Sequence, residues 1–441
     1  MRFLYESCQI LNPGNSGGFL RTLHNHPEVA SYVREILVGG SCDGRSASEN
    51  DLSMSKAEMT AHIRTLSLPY EDTFVEAIAL HPEEVELALL VWDARTSLQV
   101  LSRLHHRYSS HAYCSTTPLW NLRRHGFHST PEDNAHTPHR AFWITPLLHA
   151  AQQYVSAPAD ASIGFAKLCF LSLDMTGIPM AKIAPVLHLP SLKTLELHDI
   201  SYGVPSLGID HGSWDIRPRS SQIQNISIIW PSEPPLSHIT QLLQSCATVS
   251  SFRCDQPDKP DDNIVDWHSA LLEAARSHSE TLKKLEIRID GNGAFTWTGL
   301  WPRNYFLSGM KELEELELDY TAIVGKQRGI HYPELPETPE PARSLRDLLP
   351  PNLVELRLDY QRSAMNANVD YTSELRGLVQ DNPNCPRKIK KLRIYYVHDI
   401  VHAAYPFSLH GLQEYFKAHG LEFHYTVKYK IDNECKCFMY P

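Results

Sequence analysis

A chain of 441 residues is long enough for one extended domain or two to three compact ones. Its 42% hydrophobic and 21% charged residues are the balance of a folded protein, and a net charge of −10 argues against broad nucleic-acid binding, which needs basic surface. No run approaches the roughly 20 apolar residues of a membrane span, so no membrane partner is expected.

The start, "MRFLYESCQI", lacks the basic head and apolar run of a secretion signal. Nine cysteines, an odd number without framework spacing, read as reduced thiols. A cytoplasmic or nuclear location is expected. In "GGFLRTLHNHPEVASYVREILV" the pattern predicts a helix to about His24, a second helical turn opened by Pro27, and a strand at Ile36–Val38. Residues 39–58 are small and polar and read as a loop. Residues 108–140 are rich in histidine and proline and carry no periodicity. Residues 202–220 and 325–343 are turn-rich, and the tail "GLEFHYTVKYKI" alternates strongly enough for a terminal strand or cap.

From residue 168 onward one template recurs, apolar–x–x–apolar–x–apolar. It matches Leu168/Leu171/Leu173, Leu192/Leu195/Leu197, Ile223/Ile226/Ile228 and, weakly, Val249/Phe252/Cys254. It resumes at Leu282/Leu285/Ile287, Leu313/Leu316/Leu318, Leu353/Leu356/Leu358 and Ile389/Leu392/Ile394. Successive first positions are 24, 31, 26, 33, 31, 40 and 36 residues apart, so the repeats are irregular. Val33/Ile36/Val38 and Ile63/Leu66/Leu68 are two further candidates upstream.

The last two apolar residues of each unit alternate, which places them on one face of a short strand. Between strands, "SHITQLLQSCATV", "DWHSALLEAARSHSETL", "SELRGLVQ" and "LHGLQEYFKAHG" have helical spacing. Asp266 is the expected cap of the second of these, and Gly420 the helix-ending residue of the last. A strand and a helix cannot bury their apolar faces alone, so stacking of the units around one continuous core is expected. Two regions follow: an irregular helical part over 1–160 and a repeat array with a C-terminal cap over 161–441.

These units resemble leucine-rich repeats of the longer, helix-containing kind over roughly residues 160–400. Asp319, Asp359 and Asp199 stand near the place where that family often carries an asparagine. The leucine–proline–valine pattern of the N-terminal segment, and "LRDLLPPNLVELRLDY", look like fungal F-box/leucine-rich-repeat proteins. The resemblance implies an α/β solenoid, an irregular horseshoe with a parallel sheet and helices on the convex side. It also implies a role in protein binding. No stretch of the first 60 residues matches an F-box, so binding to a Skp-type linker of a ubiquitin ligase is not expected.

Chemistry-bearing groups are few in pattern. Eight of the 24 histidines fall between His105 and His149, with His125/His128 and His136/His139 at ligand-like spacing near Cys114. They match no strong finger spacing, and a surface loop accounts for them. Cys435 and Cys437 read as terminal thiols, and Cys254 occupies an apolar slot of the core. The neighbours His198–Asp199, Asp210–His211 and His398–Asp399 fall at strand ends or in loops. No phosphate-cradling glycine loop or serine elbow appears. No catalytic residue, metal or cofactor is therefore expected.

The leading function is a non-catalytic scaffold that binds a protein partner. Two alternatives stand beside it, the substrate-recognition subunit of an SCF-type ligase with a lost or degenerate F-box, and a metal-dependent enzyme using the histidine-rich loop. With leucines inward, the residues alternating with them face the concave side. These are Thr194, Glu196 and His198, then Lys284, Glu286 and Arg288, then Glu315, Glu317 and Asp319. Glu355, Arg357 and Asp359 and then Lys391, Arg393 and Tyr395 complete the series. Mixed signs in bands suit a charged protein segment. Reversing Glu317 and Asp319 is expected to spare folding and weaken that partner.

Overall fold

The computed structural model of the protein describes residues 7–10, 32–38, 55–66, 82–95, 98–104, 145–156, 164–175, 180–198, 216–229, 236–257, 264–290, 305–319, 345–360, 371–379, 389–399, 409–431 and 434–440, with 29, 75, 78, 200 and 323. They form a repeat-like α/β fold in which short parallel strands alternate with helical segments. The chain makes two compact units, one of Met1–Gln224, Ser232–Gln241 and Ser245–Ala247, the other of Asn225–Pro231, Leu242–Gln244 and Thr248–Pro441. No helix among the described residues is long and apolar enough to cross a membrane.

In the first unit β1 (Ser7–Ile10), β2 (Glu35–Val38), β3 (Val100–Leu104), β4 (Phe170–Asp174) and β5 (Thr194–His198) pair in chain order, all parallel. In the second, β6 (Asn225–Ile229), β7 (Ser251–Pro257), β8 (Lys284–Asp290), β9 (Glu315–Asp319), β10 (Glu355–Tyr360), β11 (Lys391–Asp399) and β12 (Glu422–Ile431) do the same. The last strand, β13 (Glu434–Tyr440), turns back antiparallel to β12. Helices α1 (Lys56–Leu66), α2 (Pro82–Ala94) and α3 (Thr145–Ser156) precede β4, with a 3-10 helix at Met180–His188 before β5. Helices α4 (Leu236–Ser245), α5 (Ile264–Arg276), α6 (Leu345–Leu348), α7 (Tyr371–Arg376) and α8 (Leu409–Ala418) lie between the later strands.

The template residues explain the register. Leu285 lies beside Leu316, Leu316 beside Leu356 and Leu356 beside Leu392, so each leucine stacks on its equivalent in the next strand. All of them are buried. The strand burial alternates, as in Thr194–His198, where Leu195 and Leu197 are inside and their neighbours half-buried. Burial of each such side chain contributes about 1.5–3 kcal/mol. Backbone bonds at the strand entrances repeat equally. The Ser250 carbonyl accepts from the Lys283 and Lys284 N–H groups at 2.8 and 3.0 Å, and the Lys283 carbonyl from Glu314 and Glu315 at 2.8 and 2.9 Å. The Glu314 carbonyl in turn accepts from Val354 and Glu355 at 2.8 and 3.0 Å.

Helices close the apolar side. Leu271, Leu272 and Ala275 of α5 are buried, and so are Leu412 and Phe416 of α8. The Phe416 ring meets Phe423 of β12 at a centroid distance of 5.1 Å. Past α8, Gly420 takes φ 72°, a left-handed conformation that ends the helix without a Cβ penalty. The tail thus forms the expected terminal strand.

Several expectations need correction. Ile63 belongs to helix α1 rather than to a strand, because Met59, His62 and Ile63 share one buried helical face. The helix begins inside the expected 39–58 loop. Ser55 caps it, with Ser55 Oγ 3.3 Å from the Glu58 N–H it accepts, and the Glu58 carboxylate taking the Ser55 N–H at 2.7 Å. Asp266 is not a cap, since α5 already starts at Ile264. Strand β3 was not matched by the template, because its register shifts between Leu101 and Leu104 and moves the third leucine one place on. The expected helix to His24 lies outside the described residues.

Leu316 sits at the centre of this stack. Leu316→Ala is expected to lower the unfolding free energy by about 2–5 kcal/mol in urea titration, and Leu316→Asp to abolish the cooperative transition of the second unit.

Candidate functional site

The face opposite the leucines is polar, and parallel pairing sorts its residues into rungs. In the second unit the first rung holds Ser251, Lys284, Glu315, Glu355, Lys391 and Glu422 on β7 to β12. The second rung holds Arg253, Glu286, Glu317, Arg357, Arg393 and His424. In the third, Asp255 faces Arg288, Asp319 faces Asp359, and Asp359 faces Tyr395. Glu286 and Glu317 are thus direct neighbours, as are Arg357 and Arg393. Like charges opposite one another destabilise a sheet.

Contacts along and between the rungs resolve that conflict. Arg357 Nη1 reaches both carboxylates of the second rung, lying 3.0 Å from Glu317 and 3.3 Å from Glu286, while its Nε donates to Glu355 at 2.7 Å. Arg288 holds Glu317 through a fork, with Nη2 at 2.8 Å and Nε on the second oxygen. Arg253 donates to Asp255 through Nε at 2.9 Å and lies 3.7 Å from Glu286. Lys284 bridges Glu286 at 3.0 Å and Glu315 at 3.2 Å. Arg393 reaches Glu355 at 3.1 Å, and Lys391 lies 3.9 Å from Glu355 and 3.6 Å from Glu422. Each acid of the second rung is therefore bound by at least two cations from other positions.

The network favours the charged form of Arg253, Arg288 and Glu355. For Arg288, burial works against the charge, but the hydrogen bond and charge of Glu317, with Asp255 and Glu286, raise its pKa above the ordinary value. For Glu355, burial works against ionisation, and the Arg357 hydrogen bond with the charges of Arg357, Arg393 and Lys391 still holds the carboxyl below its usual range. Arg253 is raised chiefly by its hydrogen bond to Asp255.

Of the residues expected on this face, Glu286, Arg288, Glu315, Glu317, Arg357 and Arg393 are joined in this one network. Asp319, Asp359 and Tyr395 occupy its third rung. Glu196 and His198 belong to the first unit, where His198 Nε2 lies 3.1 Å from Ser172 Oγ and 3.7 Å from the Glu196 carboxylate. Arg253, Asp255 and Glu422 were missed, because β7 has the weakest template match and β12 falls beyond the last one. Continuing the alternation from Phe252 or Phe423 would have found them. Glu317 is buried rather than surface-exposed, so its reversal is now expected to destabilise the fold.

His125, His128, His136, His139 and Cys114 lie outside the described residues. Among the described residues no group of three His, Cys, Asp or Glu side chains is placed to hold a metal ion. Cys254 is buried in its strand, where burial pushes the thiol well above its ordinary pKa. No protein-family model matches the chain, and no curated protein is similar to it in sequence.

Two outcomes test this geometry. Glu317→Lys puts a third cation between Arg288 and Arg357 and should lower the unfolding free energy by about 3–5 kcal/mol. Glu315→Lys, at a half-exposed position of the first rung, should change it by no more than about 1 kcal/mol in the same urea titration. The second outcome concerns acid. Because the folded pKa of Glu355 is depressed, its contribution is present above the unfolded value of about 4.3 and is lost as pH falls through the lower folded value. Glu355→Gln should flatten that acid limb in a series of thermal melts, leaving the slope near neutral pH unchanged.

Proposed function

We propose that the chain is a non-catalytic scaffold of the leucine-rich-repeat type, an irregular horseshoe whose sheet lines the concave side. Its polar sheet face in the second unit holds a protein partner. What supports this reading is one observation: six consecutive parallel strands, β7 to β12, present an in-register surface of charged side chains fixed by mutual ion pairs. A surface whose side chains are already held loses little conformational freedom on binding, which favours recognition without remodelling. Rows of charge of both signs set the orientation and register of a partner more than they set affinity.

Lysine positions give the test. Lys284 and Lys391 lie on the polar face, whereas Lys311 precedes β9 and Lys417 lies on helix α8, both exposed. With a co-purified partner and a lysine-directed cross-linker, cross-links are expected to concentrate at Lys284 and Lys391. Cross-links confined to Lys311, Lys417 or the loops would sink the reading.

A further inference from the structure

The charged side chains of the polar face do not lie at one depth. The two carboxylates of the second rung and that of Asp255 sit low, with side-chain exposure of 5% for Glu286, 9% for Glu317 and 17% for Asp255. The arginines that bind them ride higher, at 36% for Arg253, 34% for Arg288 and 24% for Arg357, and Arg393, beside Glu355, reaches 42%. A carboxylate offers only acceptors, and here they are used by the cations above. A guanidinium has five N–H donors on three nitrogens, more than these pairs consume. Nη1 of Arg253, Nη1 of Arg288 and Nη2 of Arg357 donate in none of the hydrogen bonds just described. The second rung therefore turns its positive half outward, although acids and bases balance within the network.

We propose, resting on the reading that this face binds a protein, that the bound segment is acidic. It is an extended stretch rich in Asp and Glu, laid across β7 to β11 over Arg253, Arg288, Arg357 and Arg393. Adjacent strands are about 4.8 Å apart, so the four intervals from β7 to β11 span about 19 Å, the length of roughly six extended residues. Cations spread over that distance match several carboxylates along a peptide better than one compact phosphate. The flanks define the track. The first rung mixes Lys284 and Lys391 with the half-buried Glu315 and the exposed Glu422, and the third rung carries Asp359 on β10. Those acids interrupt the basic surface that a nucleic-acid backbone would follow. Arg253, Arg288 and Arg357 each have the N–H groups of one further Nη to donate to a carboxylate, as a charge-assisted hydrogen bond.

The test uses the full chain and a fluorescein-labelled eight-residue peptide alternating Glu and Ser, followed by fluorescence anisotropy at low ionic strength. Salt-sensitive binding of this peptide is expected, with no binding of the matching Lys–Ser peptide. Arg393→Gln and Arg253→Gln should each weaken it by about fivefold, the effect of losing one exposed charge pair. Thermal melts check that both variants fold, and Arg393, the most exposed member of the set, is the safer of the two. Failure of the Glu peptide to bind, binding unaffected by Arg393→Gln, or tighter binding of a single-stranded RNA of equal charge would each overturn the proposal. If the natural partner still cross-links at Lys284 and Lys391 while the Glu peptide neither binds nor competes, the acidic-segment inference fails alone. Cross-links only at Lys311 and Lys417 would remove the partner-binding reading itself.

Discussion

Parallel strands paired in register put equivalent residues of successive repeats side by side, about 4.8 Å apart. Everything else in the second unit answers to that constraint. On the apolar face it is an advantage, because an apolar side chain stacks on its apolar equivalent from strand to strand through β6 to β11, where six template matches run from Ile223 to Ile394. On the polar face the same rule is a hazard. Two like charges at that spacing repel by about 3–4 kcal/mol at an effective dielectric near 20, before screening by solvent. A repeat copied faithfully on both faces would accumulate that penalty with each strand.

The protein keeps the leucines and varies the charges. Only the apolar positions are held to one residue class, while the positions between them change sign along each rung. Where two acids remain adjacent, as at Glu286 and Glu317, Arg357 reaches both from the next strand. Where two arginines remain adjacent, as at Arg357 and Arg393, Glu355 takes an Nε contact from each. The uneven repeat lengths leave this intact, because helices and loops absorb the differences while the strand cores of five to seven residues stay aligned.

The apolar half of this arrangement was legible in the sequence. The spacing from Leu168 to Ile394 fixed strand positions, register and inward face, since hydrophobic alternation is local and each repeat supplied an independent copy. The tail strand and Gly420 were legible for the same reason. Legibility failed where the local signal was weak or was of another kind. A one-residue shift hid β3 behind Leu104. Ser55 and Glu58 form a capping pair that marks α1, yet they sit in a run otherwise composed like a loop. The depth of the polar side chains was not legible at all. Alternation places Glu317 on the outer face, but its burial depends on Arg288 and Arg357, which lie 29 and 40 residues away in the chain.

That shared burial also constrains how such a sequence can drift over generations. A pair of opposite charges can be exchanged by two substitutions, each tolerable for a time. Glu317 answers to two arginines at once, and Arg357 to three acids, so no single second change restores what one reversal removes. Glu286, Arg288, Glu317 and Arg357 should therefore change as a group or stay put. Glu315, half-buried, and Glu422, exposed, both at strand entrances, are left to vary one at a time. In a lineage of such chains the slowest-changing polar positions would mark the ion-pair lattice, and they would do so whether or not a partner ever touched them.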